Sequence, residues 1–132
     1  MYLLDTNACI QFLRAPDSAV ARRLAAVPLG EVALCTVVKA ELYYGARRST
    51  DPDRSIQILE VFFGNLVSLP FDDLAAEVYG RIRAYLAQQG ALIGPNDLLI
   101  AATALAYGAT LVTHNTREFE RVPELKIEDW EG

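Results

Sequence analysis

Four acidic side chains stand where ordinary helix and turn chemistry explains them only in part: Asp5, Glu41, Asp97 and Glu118. Asp5 ends the apolar run Tyr2-Leu3-Leu4, so it is the first polar group after a segment that reads as buried. It could cap a following helix, but Thr6 or Asn7 could do so equally well. Glu41 has Val37, Val38, Tyr44 and Gly45 three and four residues away, so its own helix offers no counter-charge. In a segment this apolar, such a carboxylate faces a polar cavity or a metal. Asp97 follows Pro95-Asn96 and fits a first helical turn, where the helix dipole favours an acid. Glu118 has the strongest ordinary explanation, since Asn115-x-x-Glu118 resembles a capping box and Arg117 and Arg121 are near enough to pair with it. Gathered in one pocket, these carboxylates would offer hard oxygen ligands to Mg²⁺ or Mn²⁺, cations that acidify water and stabilise charge growing on a phosphate. Such chemistry needs no side-chain nucleophile.

The remaining reactive residue types offer little. Cys9 and Cys35 lie far apart, without CxxC spacing, and are expected as reduced, buried thiols. His114 is the only histidine and lacks ligand spacing, so a structural or surface position fits it better than a general-base role.

For the acids to meet, the chain must bring distant segments together. Tyr2 to Leu4 reads as a buried strand followed by a helix, and Glu31 to Thr36 as a strand leading into a helix over Val37 to Ala46. Leu66 to Pro70 is another strand. Leu74, Ala75, Val78, Tyr79, Ile82 and Leu86 then recur on one helix face until Gly90. Pro95 and Asn96 open a helix from about Asp97 to Tyr107, which Gly108 closes, before a strand over Thr110 to Thr113. A short strand at Lys126 to Glu128 completes the series. Alternation of this kind predicts an α/β fold with parallel strands, right-handed crossovers and a ligand site beyond the strands' C-terminal ends. Ala101, Ala102, Ala104 and Ala106 keep their helix slim, so it can lie close to the sheet and carry Asp97 towards those ends.

The 132 residues, 52% of them hydrophobic, suffice for one core and predict a single domain over 1–132. The start Met1-Tyr2-Leu3-Leu4-Asp5 has neither the basic residues nor the apolar length of a secretory signal, and a cytoplasmic location is expected. Leu98 to Thr116 carries no charge, but Gly108, Thr110, Thr113 and Asn115 divide it into helix and strand, which argues against a membrane span. Net charge is −5, from 17 acids and 12 bases, which argues against a broad basic face for nucleic acid. Bound cations would offset that objection by cancelling the acids and presenting positive charge to phosphate.

Four segments in order, Leu4-Asp5-Thr6-Asn7, Val37 to Leu42, Gly94 to Ala102 and Val112 to Phe119, closely resemble the PIN-domain nucleases, specifically the VapC-type toxins. The likeness runs the whole length of the chain. It implies a three-layer α/β/α sandwich with a mostly parallel sheet and Mg²⁺- or Mn²⁺-dependent endoribonuclease activity on structured RNA. It further implies a VapB-type antitoxin and a homodimer. By the resemblance, Asp5 and Asp97 are the main metal ligands, Glu41 assists directly or through water, and Glu118 holds the fourth acidic position, more often Asp in the family. Thr6, Asn7, Thr113 and Asn115 are the supporting residues, Asn115 standing where some members have another acid. The members most alike in these segments cut the anticodon region of initiator transfer RNA.

Arg14, Arg22-Arg23, Arg47-Arg48 and Arg81-x-Arg83 read as solvated helix residues, of which some are expected to line an RNA groove. Ile56 to Phe63 has more apolar residues than one core-facing stripe needs and is expected to meet antitoxin or a second subunit. Two other readings compete with this one. A haloacid-dehalogenase-like phosphatase would want a second Asp where this chain has Asn7, and a catalytically silent binding module would keep the acids only as a docking surface.

Overall fold

The apolar runs that open the chain and follow Glu31 are buried because helices cover both faces of the sheet they form. The computed structural model describes residues 1–132. Its strands are β1 (Tyr2–Leu4), β2 (Val32–Cys35), β3 (Val67–Leu69), β4 (Thr110–Val112) and β5 (Ile127–Glu128). They pair in the order β3-β2-β1-β4-β5, and every pairing is parallel. The helices are α1 (Thr6–Arg14), α2 (Ala19–Ala25), α3 (Thr36–Arg47), α4 (Pro52–Gly64), α5 (Asp73–Gln88), α6 (Pro95–Ala106) and α7 (Thr116–Phe119). The result is the expected three-layer α/β/α sandwich.

Strand order explains where a site can form. The chain moves outwards from β1 to β2 and β3, then crosses back to β4 on the other side of β1. Connections therefore leave the C-terminal ends of β1 and β4 in opposite directions and open a crevice between them. A helix joining parallel strands runs antiparallel to them, so the starts of α1, α3 and α6 lie at that same edge of the sheet.

The core is one cluster of 32 buried residues centred on Leu3, Leu4, Leu34, Ile100 and Leu111. α6 reaches it through Ala101, Ala102 and Ala104, all fully buried, while Ala106 lies near the helix end and stays partly exposed. Gly90 and Gly108 both adopt φ of +64°, the left-handed conformation that terminates a helix with least strain in glycine. Each follows the helix it was expected to end.

Boundaries moved slightly at β2. Leu29–Glu31 is a short 3₁₀ turn, and Thr36 already belongs to α3. The sequence set no bounds for α1, α2, α4 or α7, although Arg22-Arg23 read as helical and Asn115-x-x-Glu118 hinted at a helix start; at seven and four residues, α2 and α7 give periodicity too little span to register. The apolar surplus assigned to Ile56 through Phe63 is smaller than expected. Leu59, Phe62 and Phe63 are buried, Ile56 packs on the core, Phe62 stacks on Phe12, and Phe63 meets Tyr43 edge-on. Only Ile58 and Val61, 48% and 70% exposed, remain as free apolar surface on α4. Cys9 and Cys35 are buried and unpaired. No helix is long and apolar enough to cross a membrane.

Close approach of α6 to the sheet depends on its small side chains. Ala101→Leu should therefore lower unfolding free energy by about 1–3 kcal/mol through overpacking; urea denaturation within 0.5 kcal/mol of the parent, roughly the scatter of a neutral surface change, would contradict that packing.

Candidate active site

Asp5 leaves β1 and becomes the N-cap of α1. Its Oδ1 accepts the Ala8 N–H at 2.8 Å, and the residue is only 5% exposed. Asp5 thus takes the capping role that Thr6 and Asn7 were thought equally able to fill. Thr6 is turned elsewhere: its hydroxyl donates to Glu41 Oε1. Burial pushes the Asp5 carboxyl above its ordinary value, against the opposing pull of hydrogen bonds from Thr113 and Ala8.

Glu41 comes from the second turn of α3, which follows β2. It has no partner on its own helix, as its neighbours predicted, but finds two across space. Besides Thr6, the Asn96 amide donates to Glu41 Oε2 at 3.4 Å. These partners lie 35 and 55 residues away, and both are neutral.

Asp97 enters from the first turn of α6, where Gly94 is the N-cap and Pro95 the first helical residue. Glu118, in α7 just after β4, faces it. Glu118 Oε1 accepts the Gly94 N–H at 2.7 Å, and the Asn115 amide donates to Oε2. The capping box is therefore not formed, because Asn115 makes no side-chain bond to the α7 backbone and spends its amide on the Glu118 carboxylate. Glu118 forms no salt bridge with Arg117 or Arg121, although the Arg121 charge helps hold its carboxyl down.

Asp97 and Glu118 behave as a pair. Desolvation first, then the charge of Glu118 and a hydrogen bond to it, push Asp97 up to about 7, with smaller contributions from Glu41 and Asp5. Burial acts to raise Glu118, but the donors Gly94 and Asn115, the proton held on Asp97 and the Arg121 charge bring it below its ordinary value. One proton is thus shared across the pair, resident on Asp97.

All four acids converge on one edge of the sheet, although no three of them bring oxygens within 4.8 Å of one another. None takes part in an ion pair. The donor set is entirely carboxylate oxygen, and two of the acids, Glu41 and Asp97, line a cleft of about 250 Å³ together with Gly94, Pro95 and Asn96. Hard oxygens without a basic partner fit a hard divalent cation better than a soft one.

The supporting residues divide. Thr113 holds Asp5 and accepts the Asn115 N–H at 3.0 Å, while Asn115 holds Glu118. Asn7 touches none of the acids and lines a neighbouring cleft. His114 lies at the surface, as expected, with Nδ1 3.0 Å from Asp129 Oδ2. Sequence reasoning gave no individual role to Gly94 or Asn96. A Cβ on Gly94 would make only ordinary contacts, 3.4 Å from Asp97 Oδ2 and 3.6 Å from Glu118 Oε1, so it is the Gly94 N–H, donated to Glu118, that ties this segment to the acids. The signal was present in Gly94-Pro95, a cap followed by proline at the first helical position.

Comparison with known proteins follows the same lines. The family model described as PIN domain matches residues 2–125. The chain is 41% identical over 129 residues to the tRNA(fMet)-specific endonuclease VapC of Shigella flexneri, covering 98% of this chain and 97% of that one. It is 38% identical over 132 residues to ribonuclease VapC2 of Rickettsia felis, covering 99% and 98%. Among solved structures, DNA-bound VapBC from Salmonella typhimurium superposes with a TM-score of 0.92 at 38% identity, covering 98% of this chain and 97% of that chain.

The raised Asp97 value fixes a pH signature. Near pH 3 folded and unfolded chains both hold the Asp97 proton. As pH rises, the unfolded chain releases it near 3.9 but the folded chain only near 7, so folding is progressively penalised across that window. With chelator present, Asp97→Asn should match the parent near pH 3. It should exceed the parent by about 1–2 kcal/mol at pH 8, a figure discounted for solvent screening of this half-exposed group. Paired thermal melts read the difference, and marked destabilisation of the variant at pH 8 would contradict the crowding.

Proposed function

The chain belongs to the PIN-domain family and, within it, to the VapC type, and from that premise we propose that it is the toxin ribonuclease of a toxin–antitoxin pair. The observation that carries this reading is the convergence of Asp5, Glu41, Asp97 and Glu118, none paired with a base, at the C-terminal edge of the parallel sheet. The cofactor is Mg²⁺ or Mn²⁺, held chiefly by Asp5 and Asp97. When bound, that cation supplies positive charge that acidifies water and offsets the charge growing on the scissile phosphate.

The chain's own residues do the positioning. Thr113 and the Ala8 N–H fix Asp5, and Thr6 with Asn96 fixes Glu41 so that it can orient the attacking water. The Gly94 N–H and the Asn115 amide hold Glu118 against Asp97. To hold a cation Asp97 would have to be ionised, so the proton that it shares with Glu118 would have to leave. No thiol competes as nucleophile, since Cys9 and Cys35 are buried.

The substrate is RNA acted on in the cytoplasm, specifically the anticodon stem-loop of initiator transfer RNA, as the name of the Shigella relative suggests. The cognate partner is a VapB-type antitoxin. Its site is a cleft of about 390 Å³ between α1, α3 and α4, lined by Ile10, Leu13, Leu42, Ile58 and Leu59 and bordered by Glu41. An apolar segment seated there would lie against Glu41 and hinder access to it. A homodimer belongs to the same reading, with Tyr44 and Val61 as exposed surface available to it.

Purified chain incubated with total cellular RNA and Mn²⁺ should produce cuts mapping to the initiator anticodon loop, abolished by chelator and slowed by at least about 100-fold in Asp97→Asn. Chelator-resistant cutting, or full activity in the variant, would sink the assignment. Ile58→Asp, which puts a charge into the apolar cleft, should weaken antitoxin binding by about tenfold or more; unchanged affinity in calorimetry would move the antitoxin elsewhere.

A further inference from the structure

We propose that the polar cleft on the other flank of α1 is a nucleotide subsite for the RNA beside the cut, with Gln11, Arg14 and His114 as its recognition residues. This inference rests on the ribonuclease reading and names the substrate contacts of that site.

Asn7, Ile10, Gln11 and Arg14 recur at the spacing of one helix face on α1, the helix that Asp5 caps. With His114 and Asn115, which follow β4, they line a cleft of about 440 Å³ in which Ile10 is the only apolar residue. The cleft on the opposite flank is more apolar, with half of its lining hydrophobic, and Ile10 and Arg14 border both. α1 thus separates two clefts beside one set of acids, and their linings suit different occupants. Carboxamides, a guanidinium and an imidazole match the phosphate oxygens and base edges of an unpaired nucleotide. An apolar protein segment would leave those groups unsatisfied.

Charge points the same way. A chain of net charge −5 must concentrate positive groups where the polyanion lies. Arg14 forms no ion pair, so its charge is free for a ligand. His114 sits with Asp129 and Glu131, ligand atoms of all three lying within 4.8 Å of one another. The hydrogen bond that its ring donates to the Asp129 carboxylate holds its imidazole above the ordinary value, so it carries charge nearer neutral pH, and the charge of Glu131, the one acid on the lining, is offset there. Along the helix Arg14 is about 14 Å from Asp5, nine residues at 1.5 Å each. That span places it on nucleotides flanking the cut and leaves the scissile phosphate to the acids.

The test is fluorescence anisotropy of a labelled initiator anticodon stem-loop in chelator, over a series of salt concentrations. Four proteins are compared: the parent, Arg14→Ala, the double variant Gln11→Ala with His114→Gln, and Arg81→Ala as a control of equal charge change. Arg81 lies beside Glu77 on α5 and lines neither cleft. Arg14→Ala and the double variant should each weaken binding by about fivefold or more, and Arg14→Ala should reduce the salt slope by about 1. Arg81→Ala should match the parent. All substituted side chains are exposed, and thermal melts check that the variants fold. Binding within twofold of the parent for both cleft variants, an equal loss in Arg81→Ala, or a parent that does not bind the stem-loop would each overturn the subsite. Cleavage with Mn²⁺ is followed in parallel. Binding that depends on the cleft in a parent that never cuts would sink the ribonuclease reading and leave the subsite standing. Cutting by the parent with unaffected cleft variants would sink the subsite alone.

Discussion

Asp5, Glu41, Asp97 and Glu118 carry negative charge to one edge of a sheet, and no basic side chain there pairs with them. Two carboxylates about 5 Å apart repel by about 3 kcal/mol at an effective dielectric of 20. The fold tolerates this crowding in three ways. Asp97 holds a proton, neutral donors from Thr6, Asn96 and Asn115 take up carboxylate oxygens, and the Ala8 and Gly94 N–H groups bond to two more. Each leaves the carboxylates able to exchange their present partners for a cation, which an arginine lodged among them would prevent.

Sheet topology makes the crowding possible. Reversal of direction between β1 and β4 opens the crevice, and parallel crossovers deliver the starts of α1, α3 and α6 to it. The slim flank of α6 carries Asp97 to this edge, and the Gly94 N–H holds Glu118 against it. Helix N-termini add partial positive charge at the same edge, the only broad electrostatic relief that the backbone itself supplies. Of the two clefts flanking α1, one is bordered by Glu41 and the other reaches Asn115, the partner of Glu118.

Much of this was legible in the residues. Alternating strand and helix patterns showed the α/β class and placed all five strands to within a residue at each end, because β1 and β2 are unbroken apolar runs. Gly90 and Gly108 end helices in the conformation glycine favours, but the bounds of α1, α2, α4 and α7 were not readable. The absence of a basic neighbour around Glu41 signalled a partner across space. What could not be read were the identities of such partners, since Thr6 and Asn96 are 35 and 55 residues away and neutral. Local patterns also misled. Asn115-x-x-Glu118 has the residues of a capping box, yet both side chains serve the acid pocket, because the Gly94 N–H competes for the glutamate. The apolar excess in α4 was overcounted for a related reason: Phe62 and Phe63 look surplus until Phe12 and Tyr43 arrive from other helices.

If a cation is what the crowded acids await, its arrival should relieve the repulsion and show directly in stability. The most direct measurement is the melting temperature of the parent chain at pH 8 across a Mn²⁺ titration, beside a variant carrying Asp5→Asn and Asp97→Asn together. A rise in the parent that grows with ion concentration and is absent from the double variant is the predicted result. Parent and variant melting alike at every concentration would contradict the account.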